Sequence, residues 1–574
     1  MGALLREDET MAGDGAKKLK PMSMTRSANL ILGVCVALAS QAFSADSEIL
    51  ISKPPMRWLW GGFGFHNSEA TMTGLMSEDF LNQRVLKTFL EISPTYARVF
   101  AGYHDWTKEA MDRFADYYDQ TFRKAGTVLY LVPGRMPYIA KDFDIEKYCE
   151  DVAVRLEYLV KERNCTKIRY YCLSNEMCSG NEWGWFNDHL DLFKEYNECL
   201  YRAFRRHGLD GIGLMATDTS GLKLAEQIPW ATKNMDQITD TYCWHLYIND
   251  MTPGDPALYG RVYDALTNLV KVVSYKEKRL CFGEFGITGK RNQRIMRDDS
   301  SYSCSHPAEA RFSAIARAEM GLAALNAGCV NAVSWTMIDY PDPFLREDGD
   351  TAAEKARYDA SRFSGHGTKI RYNKNGLVKW CDDEKDYSSY PDLYTMGYLV
   401  KLFRKDSRVL PWETKDPTLR VGAVTNPDGS ATIAVINWGE AKNVRIVCGH
   451  PFAKPLRKYV YDSSAVPSSP FNDLQPASGT VAATDGVMTV AMASKSMIFL
   501  TTDYTDRTPS SVTGVKISRE KLTWHASPDI EHRYYRVFKD GAQIASTVAT
   551  SLAVDAPDAV YTVKSVDRWG NAIR

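Results

Sequence analysis

The sequence predicts a closed barrel of eight parallel strands with helices outside it, a (β/α)8 barrel of the TIM type, followed by β-sandwich domains. Eight apolar runs alternate with helical segments between Trp58 and Asp339, a pattern typical of parallel strands buried on both faces. Eight such units favour closure, because a closed barrel leaves no exposed strand edge. From about Trp412 onward, short strands and turns replace this alternation.

The eight predicted barrel strands are short and rich in aromatic and β-branched residues. In chain order they are RWLWGGFGF, TYARVFAG, TVLYLVPG, KIRYYCLSNE, GIGLMATD, DTYCWHLY, RLCFGEFG and AVSWTMID. Apolar residues at three- and four-residue steps, from Met111 to Phe122 and from Ile145 to Leu159, predict one-faced helices between them. An open, doubly wound sheet is the alternative, and it is disfavoured because no glycine-rich phosphate loop follows the first run.

Length and charge bound the number of domains and the class of partner. A chain of 574 residues is expected to hold two to four domains. Its net charge is −1 and it carries no polybasic tail, so no nucleic-acid partner is predicted. The chain has 12 cysteines but no C-x-x-C pair, so neither a zinc nor a redox motif is indicated. Cys172, Cys243 and Cys281 lie within strand-like runs and are expected to be buried.

Residues 1–45 are predicted to be an N-terminal extension and signal peptide. Arg26 precedes an apolar run from Leu30 to Leu38, and small residues follow around Ala42 and Ser44, which is the plan of a secretory signal. The run is too short to span a bilayer. A secreted or periplasmic protein is therefore expected, with no membrane association after the signal is removed. A buried N-terminal helix is the alternative, and Met24 is a second candidate for the start.

Three domains are predicted after the signal. The barrel is assigned to 50–410 and is closed by a helix within PDLYTMGYLVKLFRKDSRVL. A β-sandwich is assigned to 411–506, with a hairpin turn at Asn426–Gly429 and a second pair of adjacent strands within DGVMTVAMASKSMIFLTTD. The unit at 510–574 resembles a fibronectin type III module, since KLTWHASPD, YYRVFKDGAQIAS and YTVKSVDRWGN have the short strands of a small sandwich. Its expected role is spacing or packing.

Ionisable residues cluster where the predicted strands end, at the face where TIM barrels carry function. Glu176 follows the fourth strand and Glu284 the seventh, so the two carboxyls are expected to face each other across the mouth. Asp218 follows the fifth strand, and it either joins them or caps the next helix. The other strand-end candidates are Arg98, Asn175, His245, Tyr247 and Trp335.

These residues resemble the motif of retaining glycoside hydrolases of clan A. That clan carries Asn-Glu after strand four, matched by Asn175-Glu176, and Glu at the end of strand seven, matched by Glu284. The further matches are Arg98 on strand two, His245-Leu246-Tyr247 after strand six and Trp335 on strand eight. Order and strand number agree over about half of the chain. With a sandwich after the barrel, the plan is most similar to families 39 and 30.

The resemblance implies hydrolysis of a carbohydrate with retention, without cofactor or metal. It makes Glu284 the nucleophile and Glu176 the acid/base. Arg98 is expected to lower the pKa of Glu284, whereas burial is expected to raise that of Glu176. Asn175 is expected to bind the sugar 2-hydroxyl and Trp335 to offer a flat face to the ring. His245 and Tyr247 are the remaining matched binding residues, and no oligomeric state is predicted.

Further binding residues are expected in the loops above the barrel. Aromatic and polar side chains follow the first, second and fourth strands, and they either stack against sugar or pack over the rim. They are Trp60, His66, Asn67, Tyr103, His104, Asp105, Trp106, Trp183 and Trp185. Basic residues in the loops after strands seven and eight, such as Lys290 and Arg346, would suit an anionic glycan. Interleaved carboxylates favour a mixed solvated surface instead.

Two other functional classes are consistent with the same barrel. One is a catalytically inactive glycan-binding protein, disfavoured because both carboxyls are present. The other is a metal-dependent hydrolase that uses His245, Asp218 and a glutamate. It is disfavoured because no H-x-H pair follows the first strand.

Overall fold

A computed structural model describes most of the chain after the predicted signal. The described residues are 45–51, 54–67, 76–100, 106–133, 143–176, 186, 188–221, 226–248, 255–287, 307–341, 372–373, 376–380 and 387–572. The signal prediction at residues 1–45 therefore lies almost wholly outside the described residues. None of the helices in this part of the chain is both long and apolar enough to cross a membrane.

A closed barrel of eight parallel strands forms the centre of the molecule. Two short strands precede it, β1 (Ser47–Ile51) and β2 (Leu59–Trp60). The barrel strands pair in chain order, and the last pairs with the first. They are β3 (Phe63–Asn67), β4 (Tyr96–Phe100), β5 (Val128–Val132), β6 (Ile168–Cys172), β7 (Gly213–Ser220), β8 (Thr239–Ile248), β9 (Arg279–Ile287) and β10 (Asn331–Ser334). This confirms the predicted fold class and excludes the open sheet.

Helices surround the barrel. They are α1 (Glu78–Phe80), α2 (Leu86–Ile92), α3 (Lys108–Gln120), α4 (Phe122–Ala125), α5 (Ile145–Glu157), α6 (Leu190–Arg206), α7 (Gln227–Asn234), α8 (Pro256–Ser274) and α9 (Pro307–Ala327). Thr107 caps α3 by accepting from the Ala110 amide, and Asp144 caps α5 in the same way from Lys147. The predicted apolar faces of α3 and α5 are buried, so both predicted helices are confirmed.

The first predicted strand is split in two, because a glycine pair breaks it. Gly62 has φ +114°, and a Cβ there would lie 2.5 Å from the Cβ of Thr95, so the chain turns at a position that needs glycine. Trp60 therefore lies on β2, which pairs with the later strand at Ser407–Val409. Only β3 enters the barrel. Trp60 precedes this strand instead of following it, so it lies at the end of the barrel away from the mouth.

A separate apolar cluster fills the inside of the barrel below the mouth. It consists of Tyr96, Tyr130, Val132, Cys172, Met215, Cys243, Cys281 and Val333. The three predicted buried cysteines are fully buried, and every cysteine in the described residues is free. Inward-facing side chains alternate with outward-facing ones along each strand. The polar residues that follow this cluster on the same strands consequently rest on a closed apolar floor.

The sandwich packs two sheets around a core of its own. After the small pair β11 (Tyr340–Pro341) and β12 (Tyr372–Asn373) and helix α10 (Met396–Leu402), the strands are β13 (Ser407–Val409), β14 (Glu413–Thr414), β15 (Leu419–Thr425), β16 (Ala431–Asn437), β17 (Lys442–Cys448), β18 (Leu456–Asp462), β19 (Gly479–Val481), β20 (Val487–Met492) and β21 (Ser496–Thr501). A four-stranded sheet has the order β14-β1-β17-β20 and a seven-stranded sheet the order β19-β18-β21-β16-β15-β13-β2.

Pairing in the sandwich differs from the prediction at three places. Strands β1 and β2 belong to the two sandwich sheets, although residues from 50 onward were assigned to the barrel. The predicted closing helix ends at Leu402, and its last residues form β13. Strands β20 and β21 were predicted to pair with each other, but they lie in opposite sheets. The hairpin at Asn426–Gly429 is confirmed.

The C-terminal module consists of six strands, β22 (Lys516–Ser518), β23 (Lys521–Thr523), β24 (His532–Lys539), β25 (Ala542–Thr547), β26 (Ser551–Ala553) and β27 (Tyr561–Asp567). They form two three-stranded antiparallel sheets, β22-β23-β26 and β25-β24-β27. They enclose a core around Leu522, Trp524 and Tyr535. The module is thus a small sandwich, and its likeness to fibronectin type III stays a prediction.

Buried charges join this module to the barrel and the sandwich. Lys87 on α2 lies 2.7 Å from Glu91 and 2.6 Å from Asp473 of the sandwich, and it is fully buried. Tyr534 of the module donates to Glu91 at 3.0 Å, and Arg536 donates to Asp473 at 3.2 Å. The three domains therefore share one ion network, and the module is a packed part of the structure.

Candidate active site

The predicted site residues converge where the barrel strands end. Arg98 lies on β4, Asp218 on β7, His245 and Tyr247 on β8, and Glu284 on β9. Asn175 and Glu176 come directly after β6. The carboxyl ends of parallel strands share one edge of the barrel, so residues up to 186 positions apart meet there.

A β-bulge at Gly283 turns Glu284 toward the inside of the barrel. Trp244 pairs with Phe282 and His245 with Glu284, so Gly283 is the extra residue. Phe282 and Phe285 pack in the outer core, whereas Cys281 faces inward. Strict alternation would direct position 284 outward, as it does position 282. A bulge of this kind re-aims a side chain, and it is what brings Glu284 beside His245.

Gly283→Ala is expected to destabilise the protein by about 1–3 kcal/mol, because an added methyl overpacks the barrel interior. The new Cβ would collide with the Cys243 sulfur and lie 2.8 Å from the Tyr130 hydroxyl. Urea unfolding measures the loss. Gly260→Ala is the matched control, since Gly260 lies within α8 and has no neighbour within 4 Å of an added Cβ. Equal stability of the two variants would contradict the bulge argument.

Asp218 occupies a second bulge. Thr217 pairs with Cys243 and Thr219 with Trp244, which leaves Asp218 as the extra residue with φ +54°. Glu176 is also left-handed, with φ +44°. Non-glycine residues at such angles carry backbone strain that the surrounding structure must hold. Asp218 was predicted either to join the site or to cap the next helix. The structure supports membership of the site, because the carboxylate of Asp218 faces the cluster.

Arg98 is the centre of the hydrogen-bond network. Its guanidinium donates to Glu284 at 2.7 Å and to Asp218 at 3.0 Å, and it also donates to the Asn175 side-chain oxygen. The side chain is fully buried. A buried cation needs paired charges around it, and the two carboxylates supply them. The predicted pairing of Arg98 with Glu284 is present, and Asn175 is fixed by the same group.

His245 connects Asp218 to Glu176. Its Nε2 lies 2.8 Å from an Asp218 oxygen and its Nδ1 lies 3.2 Å from a Glu176 oxygen. Both ring nitrogens therefore face carboxylates, which suits an imidazolium that donates twice. The Asp218 and Glu284 charges raise the pKa of His245 well above its ordinary value despite the opposing effect of burial. His245 is accordingly a second cation of the site.

Asp218→Asn is expected to lower the pKa of His245, because the variant loses the carboxylate that holds the imidazolium. The wild-type ring should stay protonated at neutral pH, and the variant ring should lose its proton there. Ring-nitrogen NMR across the pH range measures this. His207, whose pKa is raised by Glu150 and Glu157, is the internal control and should not move. A variant with an unshifted His245 would contradict the assignment.

The same pKa shift has a consequence for stability. A group with a raised native pKa stabilises the native state fully below its unfolded pKa of about 6.5. That contribution is lost as the pH rises through the raised native pKa of His245. The wild-type protein should therefore lose more stability than Asp218→Asn on the alkaline side.

The two glutamates of the site lie close to each other. One oxygen of Glu176 and one of Glu284 lie within 4.8 Å, with His245 beside both. Tyr247 donates to the second oxygen of Glu284. In retaining glycosidases the two carboxyls are about 5–5.5 Å apart, whereas inverting enzymes need about 6.5–9.5 Å. The close approach of one oxygen from each glutamate is compatible with direct attack by one carboxylate.

An aromatic wall flanks the cluster. Trp335 stacks on His66 with ring centroids 4.1 Å apart, and Phe100 packs edge-on against both rings. Burial and the charge of Arg98 lower the pKa of His66 well below its ordinary value, so this ring is neutral at neutral pH. Trp335 is buried at 7% exposure, and it lies over the same mouth as the glutamates.

The pKa shifts of the two glutamates run opposite to the prediction. Burial raises the pKa of Glu284 above its ordinary value, and Arg98 and His245 do not cancel this effect. Burial acts in the same direction on Glu176, but the hydrogen bond and charge of His245 outweigh it and lower the pKa. The prediction overlooked His245 as the cation beside Glu176, because the two residues are far apart in sequence.

The cluster holds one more carboxyl than it has cations. Two cations, Arg98 and His245, face three carboxyls, so the cluster is neutral when one carboxyl is protonated. Asp218 stays ionised, because the His245 and Arg98 charges outweigh its burial and lower its pKa. Glu176 and Glu284 are close enough to interact, so a proton taken up by the cluster titrates the pair and not one residue alone.

One predicted binding residue is not part of this cluster, and two others lie outside the described residues. Trp60 is buried at 1% exposure and packs edge-on against Phe63 at the far end of the barrel. His104 and Trp183 lie outside the described residues, as do Trp185 and the basic residues of the loops after strands seven and eight. His66, predicted among the residues that follow the first strand, joins the cluster beside Arg98.

The prediction missed one residue that supports the site, Tyr130, and gave another, Cys243, a purely structural role. The Tyr130 hydroxyl donates to the Gly283 carbonyl at 2.6 Å and supports the bulge. Cys243, predicted only as a buried apolar residue, donates its thiol to Asp218 at 3.0 Å. Cys243 lies two residues before His245, on the same face of β8, and that spacing is the signal that could have identified it.

Two groups of side chains have ligand atoms close enough to hold a metal ion. They are Asp218, Cys243 and His245, and Glu176, His245 and Glu284. Arg98 already pairs with Asp218 and Glu284, and both nitrogens of His245 face carboxylates. Burial also raises the pKa of the Cys243 thiol, which disfavours the thiolate that a metal requires. The polar atoms are therefore arranged to satisfy one another.

Comparison with known structures identifies the fold. A GH30 xylanase C catalytic domain from Talaromyces cellulolyticus is 13% identical with a TM-score of 0.51, covering 79% of this chain and 99% of that chain. A GH51 arabinofuranosidase from Xanthomonas axonopodis pv. citri is 12% identical with a TM-score of 0.52, covering 80% and 100%. No family model and no curated protein matches the sequence.

One neighbour extends beyond the barrel and sandwich. A bacterial orthologue of human α-L-iduronidase is 14% identical with a TM-score of 0.55, covering 92% of this chain and 99% of that chain. The part of this chain outside the match is shorter than the module from 507 to 574. The match therefore includes part of that module. All three neighbours are glycoside hydrolases of clan A. The protein has the barrel-and-sandwich fold of these enzymes.

Proposed function

We propose that the protein is a secreted retaining glycoside hydrolase that cleaves β-glycosidic bonds of an oligo- or polysaccharide by double displacement. The observation that carries the proposal is the Glu176–Glu284 pair, whose oxygens come within 4.8 Å of each other at the barrel mouth. The glycoside hydrolase fold supports the reaction class. The signal motif in residues 1–45 supports secretion.

The reactive form of the pair has the proton on Glu176 and Glu284 ionised, although in the free site the pKa of Glu284 is raised and that of Glu176 is lowered. In the first step, Glu284 attacks the anomeric carbon from this form and makes a glycosyl ester. Protonated Glu176 gives its proton to the glycosidic oxygen, and the C–O bond to the leaving group breaks. Arg98 and Tyr247 each donate to a different oxygen of Glu284. These two donors hold the carboxylate in place for attack, which is why Glu284 is assigned as the nucleophile.

In the second step, Glu176 works as a base. Esterification removes the charge of Glu284, so Glu176 ionises more easily and can take a proton from water. The resulting hydroxide attacks the anomeric carbon, the ester bond breaks, and the sugar leaves with its original configuration. His245 donates to Glu176 and stabilises the carboxylate that this step requires.

Substrate binding is assigned to the groups around the pair. Asn175, held by Arg98, is proposed to bind the 2-hydroxyl, where a hydrogen bond strengthens in the transition state. Trp335, stacked on His66, is proposed to face the sugar ring. His104 and Trp183 are proposed to contribute from the loops above, and no metal or cofactor is required.

Turnover of an aryl glycoside panel tests the proposal. The panel contains β-D-glucosides, β-D-xylosides, α-L-arabinofuranosides and α-L-iduronides, because the structural neighbours are named for xylan, arabinofuranoside and iduronide chemistry. NMR of the first product should show retained configuration. If only the α-linked substrates are hydrolysed, with retained configuration, the enzyme acts on α-glycosidic bonds and the proposed β-linkage is wrong. Binding without turnover across the panel would support a glycan-binding protein, and activity abolished by a chelator would support a metal-dependent hydrolase.

A further inference from the structure

Two buried cysteines lie between neighbouring helices of the barrel. Cys149 lies on α5 and Cys199 on α6, and both are almost fully buried. The Cys149 thiol points to the Tyr196 carbonyl of α6 at 3.9 Å. The Cys199 thiol points to the Ile145 carbonyl of α5 at 3.8 Å. Each sulfur therefore lies beside the turn that precedes the other cysteine, which puts the two thiols at the same level.

The register of the two helices supports this arrangement. Helices α5 and α6 run parallel, because each returns from the end of one barrel strand to the start of the next. Glu157 and His207 lie equally far along the chain beyond the two cysteines, and their side chains are 2.6 Å apart. Packed helices have axes about 8–10 Å apart, which brings facing Cα atoms to about 4–6 Å. A disulfide needs Cα atoms roughly 4.4–6.8 Å apart, so the spacing suits a bond between the helices.

The two thiols already interact with each other. Burial raises the pKa of Cys149, and a hydrogen bond with Cys199 adds to this effect. Burial also raises the pKa of Cys199. Disulfide exchange needs a thiolate, and thiolates are scarce at such buried positions. A bond between these sulfurs would therefore form when folding or local opening exposes them, and the folded protein would then protect it from reduction.

A second pair of neighbouring thiols is less suited to a bond. Cys243 and Cys281 are direct partners on the neighbouring strands β8 and β9. Such strands are about 4.7–4.9 Å apart and their side chains project side by side, whereas the Cβ atoms of a disulfide are about 3.5–4.5 Å apart. The Cys243 thiol also donates to Asp218 at 3.0 Å. A bond there would strain the barrel and remove a donor from the candidate active site.

We propose that Cys149 and Cys199 form a disulfide in the mature protein. The oxidant is another disulfide, either small or carried by a protein, of the kind that the proposed secretion would bring to the chain. One thiolate attacks it, and a mixed disulfide forms while the first thiol leaves. The second cysteine then attacks the mixed disulfide, the bond between the two cysteines forms, and the second thiol leaves. Two protons and two electrons thus pass from the cysteines to the oxidant.

The bond would stabilise the part of the barrel that carries the proposed acid/base. Strand β6 lies between α5 and α6 in the chain, and Glu176 follows this strand directly. A cross-link that closes a loop of about 50 residues restricts the unfolded chain and favours the native state. Local opening of β6 should therefore be rarer in the oxidised protein than in the reduced one.

Oxidation of the full chain followed by peptide mapping tests the bond. The reduced protein is held with oxidised glutathione in urea just below its unfolding midpoint. Incubation continues until Cys165 and Cys329, two other buried thiols of the barrel, carry glutathione, which shows that opening has reached buried thiols. After alkylation and trypsin, we expect residues 148–155 linked to residues 195–202 in the mass spectrum. Both peptides without the link would overturn the proposal. Glutathione replaces the cellular oxidant, so the result depends neither on secretion nor on hydrolysis.

Thermal unfolding gives a second readout. The oxidised wild type should unfold about 2–4 °C above the reduced protein, and Cys199→Ala should show no such rise. Cys448→Ala, a buried cysteine of the sandwich, is the matched control and should keep the full rise. Cys149→Ala takes the place of Cys199→Ala if that variant fails to fold. An equal rise with either cysteine of the pair replaced would assign the stabilisation to another oxidation and contradict the proposed bond.

Discussion

Glu284→Ala is expected to reduce hydrolysis on the order of 10⁴-fold, because it removes the atom that bonds to the anomeric carbon. Glu176→Ala is expected to cost about 10²–10⁴-fold on substrates with poor leaving groups. The loss should be much smaller on dinitrophenyl glycosides, whose leaving group needs no proton. Steady-state kinetics on both kinds of substrate measure the difference. Glu440→Ala, an exposed carboxyl of the sandwich, is the control and should retain full activity.

Azide distinguishes the two roles independently of the pKa values. In Glu284→Ala, azide can enter beside the anomeric carbon and displace the leaving group, which gives a glycosyl azide of inverted configuration. In Glu176→Ala, azide attacks the glycosyl ester on Glu284, and the product keeps its configuration. NMR of the two azides therefore assigns nucleophile and acid/base. If Glu284→Ala gives the retained azide and Glu176→Ala the inverted one, the two roles are reversed. If both variants keep full activity, neither glutamate carries the chemistry.

Much of the barrel and its mouth could be predicted, because strand periodicity is a local property of the sequence. Counting eight buried strands was enough to place Arg98, Glu176 and Glu284 at one edge. The bulges at Gly283 and Asp218 could not be predicted in the same way. A bulge depends on register between neighbouring strands, and alternation alone would have turned Glu284 away from the site.

The errors in the prediction have a common cause in contacts between distant segments. His245 reverses the expected pKa shift of Glu176, and no local pattern shows that the two residues touch. Trp60 was placed at the mouth because its run looked continuous, but the glycine at position 62 redirects the chain. The ion network at Lys87 likewise joins three domains that the sequence presents as separate units.

Lys87→Met is expected to destabilise the protein by about 3–5 kcal/mol, the usual cost of removing one partner from a buried ion pair. Methionine keeps most of the volume of the lysine side chain. The variant therefore tests the loss of the charge and does not create a large cavity. The variant would leave Glu91 and Asp473, which are 4% and 8% exposed, without their shared cation. Urea unfolding measures the change, and proteolysis of the module from 507 to 574 should become faster.

The exposed lysine of a similar helical pair provides the matched control. Lys147 lies 2.7 Å from Asp151 at the same i,i+4 spacing, with 67% of its side chain exposed, so Lys147→Met should cost less than about 0.5 kcal/mol. Acid offers a second check. Lys87 and Arg536 outweigh burial and lower the pKa of Asp473 to about 2, so its stabilisation is present above pH of about 4 and lost as the pH falls toward 2. Equal losses in the two methionine variants would contradict the role of the network in holding the three domains together.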